Sequence, residues 1–467
     1  MKSLAGLEKI HREYGAGLAA QKVAAVRALG KARLRSARFH EILLYLRAFP
    51  DDRELLDAVE RALAPFPREA IRYRFFWPTA RWLASRWPER LRYADDAFAE
   101  CEPRLRAALP LLVTPLQAEA VKRSEEPTAA ILDRLRGGKT AAAWVVERLA
   151  KLSAAETVRE AIHDGIDATY LLDTGPGGPS RTHAIYPTGP VVFRSTAPRR
   201  DRPDLSRALN VPPLQVRRVS ASEGSRLVDL AREAMVTRSR DLDAFAWGNP
   251  RDVRVVTDED GLAFAMIGIV PERRLPLPTV HGWLTLRNGV PTGYVQTDTL
   301  LNSSEISFNT FETFRGTDAA HVFARVLAIT RHVLGATSFS IEPYQLGHGN
   351  DEGLQSGAWW FYAHLGFRPK DPRVLRIYRD ELRKMERNPK HRSPIAILEK
   401  LASAHLYWNE SRSAPAVLPR VPQLGLRDPE RIEPFLKKVA KAKAAPDEDR
   451  SLEAFRKLPG LARVLLS

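Results

Sequence analysis

A single cysteine, Cys101, stands in 467 residues, which excludes an intramolecular disulfide and leaves no thiol-rich metal site. No His/Cys/Asp cluster has metal-ligand spacing, and no Ser-His-Asp set is singled out by its context. No stretch approaches the ~18 apolar residues of a membrane-spanning helix. Residues 1–14 mix Lys, Glu, His and Arg with spaced apolar positions and lack the continuous apolar core of a secretion signal. These absences set the expectation of a cytoplasmic protein in a reducing compartment, with neither a metal nor a membrane partner.

Acidic residues are the scarcer charge, 56 against 72 Lys and Arg, a net +16. Such an excess raises nucleic acid or an acidic surface as a partner. The charges are dispersed, however, apart from runs at 379–392 and 437–443, so nucleic acid is permitted without being favoured. Arg72-Tyr73-Arg74-Phe75-Phe76-Trp77 and the pairs Arg81-Trp82 and Arg86-Trp87 interleave cations with rings that stack bases in other proteins. The favoured reading is a core-facing aromatic stripe with arginines reaching out to water. A hydrophobic fraction of 44% fits a folded soluble protein, and the length exceeds one ordinary core, so two or three domains are expected.

Residues 1–166 read as an all-helical domain. Leu4, Leu7, Ile10, Tyr14 and Leu18 trace one stripe, Asp51-Asp52 opens a helix carrying Leu55, Val59 and Leu63, and 141–149 and 155–162 follow similarly. Gly138-Lys139-Thr140 imitates the end of a P-loop, but Asp133 replaces the leading Gly, which leaves a helix boundary. Residues 167–213 form a Pro/Gly/Arg-rich connector with one expected strand at 191–193. Over 214–370 a sheet is built. A helix at 223–236, continued at 241–247, precedes strands at 253–256 and 262–270, and 282–287 pairs with 293–297 across Asn288-Gly289, a hairpin signal. Residues 371–467 are a helical extension and tail. A helix at 371–388 carries Val374, Leu375, Tyr378, Leu382 and Met385, Ser393-Pro394 opens another helix over 395–404, and 452–466 supplies a last one.

The most informative stretch is 305–369. Ile306, Phe308 and Thr310 alternate with Glu305, Ser307, Asn309 and Phe311 as a half-buried strand requires. Val322, Val326, Ile329 and Val333 then form the stripe of a helix that stops near Gly335. The intervening loop, Thr313-Phe314-Arg315-Gly316-Thr317-Asp318, leads into a helix N-terminus, whose free N–H groups and partial positive charge favour a phosphate. A second strand and a helix over 353–366 follow, ending Trp360-Phe361-Tyr362-Ala363-His364-Leu365-Gly366-Phe367.

This order resembles the GNAT superfamily of N-acetyltransferases over about 214–369, and specifically over 305–369. In that family a loop of the form Gln/Arg-x-x-Gly-x-Gly/Ala cradles the pyrophosphate of CoA, and a later helix carries a Tyr just before Leu-Gly-Phe. Arg315 and Ala320 fit the loop pattern; Asp318 stands where the Gly is expected. There its carboxylate would repel a pyrophosphate, so that its removal would tighten binding, or Thr317 or Asp318 caps the helix. The resemblance implies an α/β (α+β) fold with a mixed sheet flanked by helices, and acetyl-CoA or another acyl-CoA as co-substrate. It places that co-substrate at Phe311, Thr313, Phe314, Arg315, Gly316, Thr317, Asp318, Ala319, Ala320 and Asn350. Tyr362 would protonate the departing thiolate. The family normally follows Leu-Gly-Phe with one or two more strands, here expected to be missing, shortened or supplied elsewhere.

Transfer of an acyl group to an amine needs a proton acceptor. Glu312 at the loop and Glu305 and Glu342 on the two strands are the candidates, with His281 and His348 behind them. The acceptor, a small-molecule or a peptide amine, is not legible. Two other readings stay open: a catalytically inactive module of the same fold, or a nucleic-acid- or tRNA-dependent transferase.

Overall fold

The computed structural model describes residues 3–66, 70–173, 175, 177–275, 278–409, 438, 441 and 447–458. The fold is mixed α/β, about 51% helical, with a nine-stranded mixed sheet. The chain divides into two compact units, one of residues 1–60, 187–225 and 249–467, the other of 61–186 and 226–248. Residues 1–60 and those after 371, expected in separate domains, thus belong to the unit that holds the large sheet.

In the smaller unit, the expectation of an entirely helical stretch to 166 fails. Strands β1 (Ile71–Tyr73), β2 (Leu91–Tyr93) and β3 (Tyr170–Leu172) form an antiparallel sheet with β3 in the centre. Three residues are too few for alternation to register. Of the Arg-aromatic stretch, Phe75, Trp77 and Trp82 are core while Phe76 is exposed; the indole N–H of Trp77, 0% exposed, donates to Glu156 Oε1 at 2.9 Å, where Arg81 also binds at 2.8 Å. Trp82 likewise donates to Asp229 at 2.8 Å, and Arg86 pairs with the other oxygen of that carboxylate. Each arginine also lies over the indole one turn back, at 5.7 and 5.6 Å. Thr140, in the P-loop imitation, caps helix Ala141–Ala150 by accepting from Ala143 N–H at 3.2 Å.

In the larger unit the strands are β4 (Gln215–Arg218), β5 (Gly248–Thr257), β6 (Leu262–Ile269), β7 (Thr279–Arg287), β8 (Val290–Leu300), β9 (Ser303–Thr310), β10 (Ser338–Ile341), β11 (Arg368–Pro369) and β12 (Leu406–Asn409). Their order across the sheet is β11-β12-β10-β9-β8-β7-β6-β5-β4. The β7–β8 hairpin turns through Asn288 (φ 48) and Gly289 (φ 79), as the two positive φ angles of a type I′ turn require. Residues 191–193 are not a strand. Val192 is instead held by the Asn288 side chain, which accepts from its N–H at 2.9 Å and donates to its carbonyl at 3.0 Å. The helix at 223–236 is observed as Ala221–Val236, and 241–247 holds a separate short helix, Asp243–Ala246; residues 226–248 of this stretch belong to the smaller unit.

Met266, Trp283 and Val295 are paired across β6, β7 and β8 and share a core with Val322, Phe323, Val326 and Ile329 of helix Ala319–Leu334. That helix ends in Gly335 at φ 67. The single helix expected over 353–366 is two, Asp351–Ser356 and Ala358–His364, because Gly357 between them is left-handed at φ 69. The strands expected to be missing or shortened after Leu365-Gly366-Phe367 are present and short. β11 follows at once, and β12 returns after helices Pro372–Arg387 and Ile395–Leu401 to lie between β10 and β11. Ser393 does not cap the second of these helices; its hydroxyl bonds to Glu381 at 2.5 Å and accepts from Trp360 at 3.1 Å. Of the last expected helix, Glu448–Arg456 is observed; the rest of 452–466 beyond 458, and 410–437, lie outside the described residues. No described helix is long and apolar enough to cross a membrane.

Candidate functional site

The loop after β9 is built by local geometry. Phe311 N–H donates to Thr292 O at 2.9 Å, and a short 3-10 turn, Glu312–Phe314, follows. Phe311 and Phe314 are buried at 2% and 1% exposure, so both anchor the loop through the core. Gly316 adopts φ 73, which only glycine reaches without strain. The chain then enters helix Ala319–Leu334. The N–H groups of residues 316–321 find no acceptor among the described residues, and the N-cap Asp318 makes no side-chain cap bond. A 16-residue helix therefore presents its positive end and free donors here.

Asp318 is neither a cap nor a bare carboxylate facing the loop. It pairs with Arg287 of β7 at 2.5 Å, and both side chains are buried. Burial lowers the pKa of Arg287, and Asp318 raises it. The carboxylate thus carries a counter-charge beneath the loop. Thr317 is occupied by a bond from its hydroxyl to Phe314 O at 2.7 Å. Thr313 is held by Glu41, and Arg315 pairs with Glu352. Ala319 and Ala320 are half-buried in the first turn. Asn350 opens helix Asp351–Ser356, accepting from Gly353 N–H at 3.1 Å and donating to Tyr344 O at 3.0 Å.

The proposed proton-handling groups separate into a cluster and outliers. β9 and β10 run parallel and are paired only from Ser303↔Ser338 to Glu305↔Ser340; beyond that β9 continues to Thr310 while β10 ends at Ile341. At this divergence Glu305 accepts from Ser340 Oγ at 3.3 Å and faces His405 Nε2 at 3.2 Å. Burial and the charge of Glu305 raise the pKa of Glu342, against His405 and a hydrogen bond from Ser307. Tyr362 joins them. Burial first and the charge of Glu342 second raise its pKa, and its ring packs on Phe323 at 5.3 Å, Phe361 at 5.1 Å and Phe367 at 6.1 Å. Tyr362 is therefore protonated at neutral pH, Glu342 holds a proton more tightly than an ordinary carboxylate, and the two interact electrostatically.

Glu312 is exposed at the 3-10 turn and takes no part in this cluster. His281 is buried on β7, with Asp449 Oδ1 at 3.8 Å, and His348 is exposed on the rim of a groove of about 710 Å³ with Asn350, Leu354 and Arg373. A second cavity, about 370 Å³, runs along the first turns of helix Ala319–Leu334 between Arg194, Leu262, His321 and Arg325. A third, about 20 Å³ between Phe49, Phe308, Thr310 and Phe314, has room for about one water.

Sequence reasoning misses His405, Arg287 and Arg12. His405 precedes a strand of four residues that follows two helices. Arg287 reads as one more exposed strand end. Arg12 lies 303 positions from Arg315, whose carbonyl it binds at 2.7 Å. Only the alternation of β7 carries a signal, since it puts Arg287 on the face of Trp283. Compared with protein-family models, curated proteins and solved structures, the chain matches none.

Proposed function

We propose that the chain is an acyl-CoA-dependent N-acyltransferase of GNAT type, taking an acyl group from acetyl-CoA or a longer acyl-CoA to an amine. Two features carry the reading: Glu342, just past the end of β10 where β9 and β10 part, with its charge acting on the buried Tyr362, and a long helix whose first amides are free. The amides suit the diphosphate of CoA, and the gap between the strands suits its extended arm. Glu342, with Glu305 and His405 beside it, takes the proton of the amine. The Tyr362 hydroxyl donates to the sulfur as the C–S bond breaks. The amine nitrogen thereby gains the acyl carbon and loses one proton, and CoA leaves as the thiol.

Calorimetry of the full chain with acetyl-CoA and longer acyl-CoAs tests the reading: saturable binding is expected, and none at millimolar ligand sinks it. A second reading, the inactive module, is favoured by one observation. Arg12 and Glu41 already engage the polar groups of the loop. Binding of CoA without release of thiol to any amine would select it.

Glu342 sets the expected pH dependence. Only its ionised form accepts a proton, and its pKa is raised, so the acid limb of the rate profile should lie above the ordinary Glu value of about 4.3. Stability runs the other way. A carboxyl with a raised folded pKa contributes stability in full below its unfolded pKa, and this is lost as pH rises through the folded value. Glu342→Gln is expected to abolish turnover while melting higher than wild type at pH 7 and no higher at pH 4. A variant that keeps the rate, or melts lower at pH 7, removes Glu342 from this role.

A further inference from the structure

We propose that the N-terminal helices and the connector supply the cationic half of a diphosphate site, through Arg12 and Arg194, to the free amides of residues 316–321. This rests on the acyl-CoA reading and extends it to segments outside the resemblance. Arg12, after helix Leu4–Ile10, donates to Arg315 O at 2.7 Å and Thr313 O at 2.9 Å. Its Nε donates to His11 at 3.3 Å, and its guanidinium lies 5.0 Å above the Tyr45 ring. No carboxylate pairs with it among the described residues. Its Nη1 stands 3.5 Å from where a Cβ on Gly316 would lie, so the cation sits against the turn from which the free amides begin. Burial lowers its pKa, Tyr45 acts against this, and the charges of Arg200 and Arg38 lower it further.

Arg194 belongs to the connector and is fixed there by its N–H, which donates to Pro50 O at 2.9 Å. Its side chain is 9% exposed, its Nη2 donates to Asp260 Oδ2 at 3.5 Å, and its Nε and Nη1 have no hydrogen-bond partner among the described residues. It lines the cavity of about 370 Å³ that Asp318 and His321 also line. Both arginines rest on one aromatic platform: Tyr45 and Phe49 are 5.0 Å apart, Phe49 and Phe314 6.4 Å, and Arg194 lies 5.9 Å from the Phe49 ring. The platform therefore ties the arginines to the loop itself.

A poorly solvated guanidinium is costly when it has no carboxylate, as at Arg12, or only an exposed one at 3.5 Å, as at Arg194, and the two flank free amides at the positive end of a helix. A multiply charged anion answers all three, and the planar fork of Arg matches phosphate oxygens. Of the acids that line this cavity, Asp318 pairs with Arg287 and Asp258 with Arg325, while Asp204, Glu259 and Asp260 lie exposed to water. Glu41 is engaged by Thr313. Exposed carboxylates are screened by solvent, so they offset the two buried guanidinium groups only weakly.

The test uses the full chain, titrated with CoA and with inorganic pyrophosphate. Arg12→Gln and Arg194→Gln should each weaken both ligands about tenfold or more, as expected for loss of a charge-assisted hydrogen bond, and Arg12→Lys, which keeps the charge, should lose less. The affinity should also fall with salt, less steeply in the Gln variants. Unchanged CoA affinity in correctly melting Gln variants overturns this proposal and leaves the acyl-CoA reading intact. Tighter binding by Arg12→Gln also overturns it, since the N-terminal helices would then be a cover. Arginine-dependent binding of pyrophosphate without any binding of CoA upholds the site and sinks the acyl-CoA reading; binding of neither ligand sinks both.

Discussion

Tyr362→Phe should lower turnover about 10²-fold while leaving the melting temperature unchanged. A positioned general acid contributes roughly 10²–10⁴-fold, and the low end is expected here. Burial and the charge of Glu342 raise the pKa of Tyr362, so its hydroxyl enters each turnover protonated but is a weak acid toward a thiolate. On the proposed acyl-CoA reading, its main contribution would be a hydrogen bond to the sulfur as charge develops. The ring is 3% exposed among Phe323, Phe361 and Phe367, contacts that Phe keeps. The hydroxyl has no hydrogen-bond partner among the described residues, so its loss orphans nothing. Release of thiol with a panel of amines reports the rate, and the loss should fall on kcat more than on KM. Full activity in the variant would remove Tyr362 from the chemistry, and a large drop in melting temperature would make it a packing residue.

Breaking the Arg287–Asp318 pair should cost about 3–5 kcal/mol, because removing one partner strands the other charge in the interior. Asp318→Gly is therefore expected to unfold at markedly lower denaturant. On the sequence alone the same substitution is expected to tighten binding by relieving repulsion, but Arg287 already neutralises the carboxylate at 2.5 Å. The double replacement Arg287→Met with Asp318→Leu should recover most of the lost stability, since a buried pair exchanged for apolar side chains is often neutral. Chemical denaturation of the two single variants and the double variant measures the coupling. Additive losses would show that the two side chains act independently.

What the sequence makes legible is what repeats or is local. The alternation of β9, the stripe of helix Ala319–Leu334, the cap at Gly335 and the Asn288-Gly289 turn are each written in consecutive residues. So is the loop, whose course follows from a glycine at φ 73 ahead of a strong helix. Tyr362 and Glu342 are nameable from the strand and helix they follow or sit on, although their proximity is not. Illegible are the contacts made by single residues across long separations. Arg287, the last residue of β7, meets Asp318, just ahead of the helix, across 31 positions, and His405 meets Glu305 because a four-residue strand returns beside β10. The three-residue strands β1, β2 and β3 fall below the length at which a period exists. The helix break at Gly357 turns on one backbone angle that the surrounding aromatic run disguises.

The bond from Arg12 to the Arg315 carbonyl spans 303 positions, and that separation bears on how the protein is made. At about 5–20 residues per second of synthesis, the first helices leave the ribosome about 15–60 s before the loop they are to hold exists. During that interval Tyr45 and Phe49, which finish 1% and 2% exposed, have no Phe314 to cover them and are free to engage chaperones or neighbouring nascent chains. Contacts of such sequence separation also form late and slowly in refolding. The loop and its guanidinium should thus be among the last parts of this chain to reach their final places.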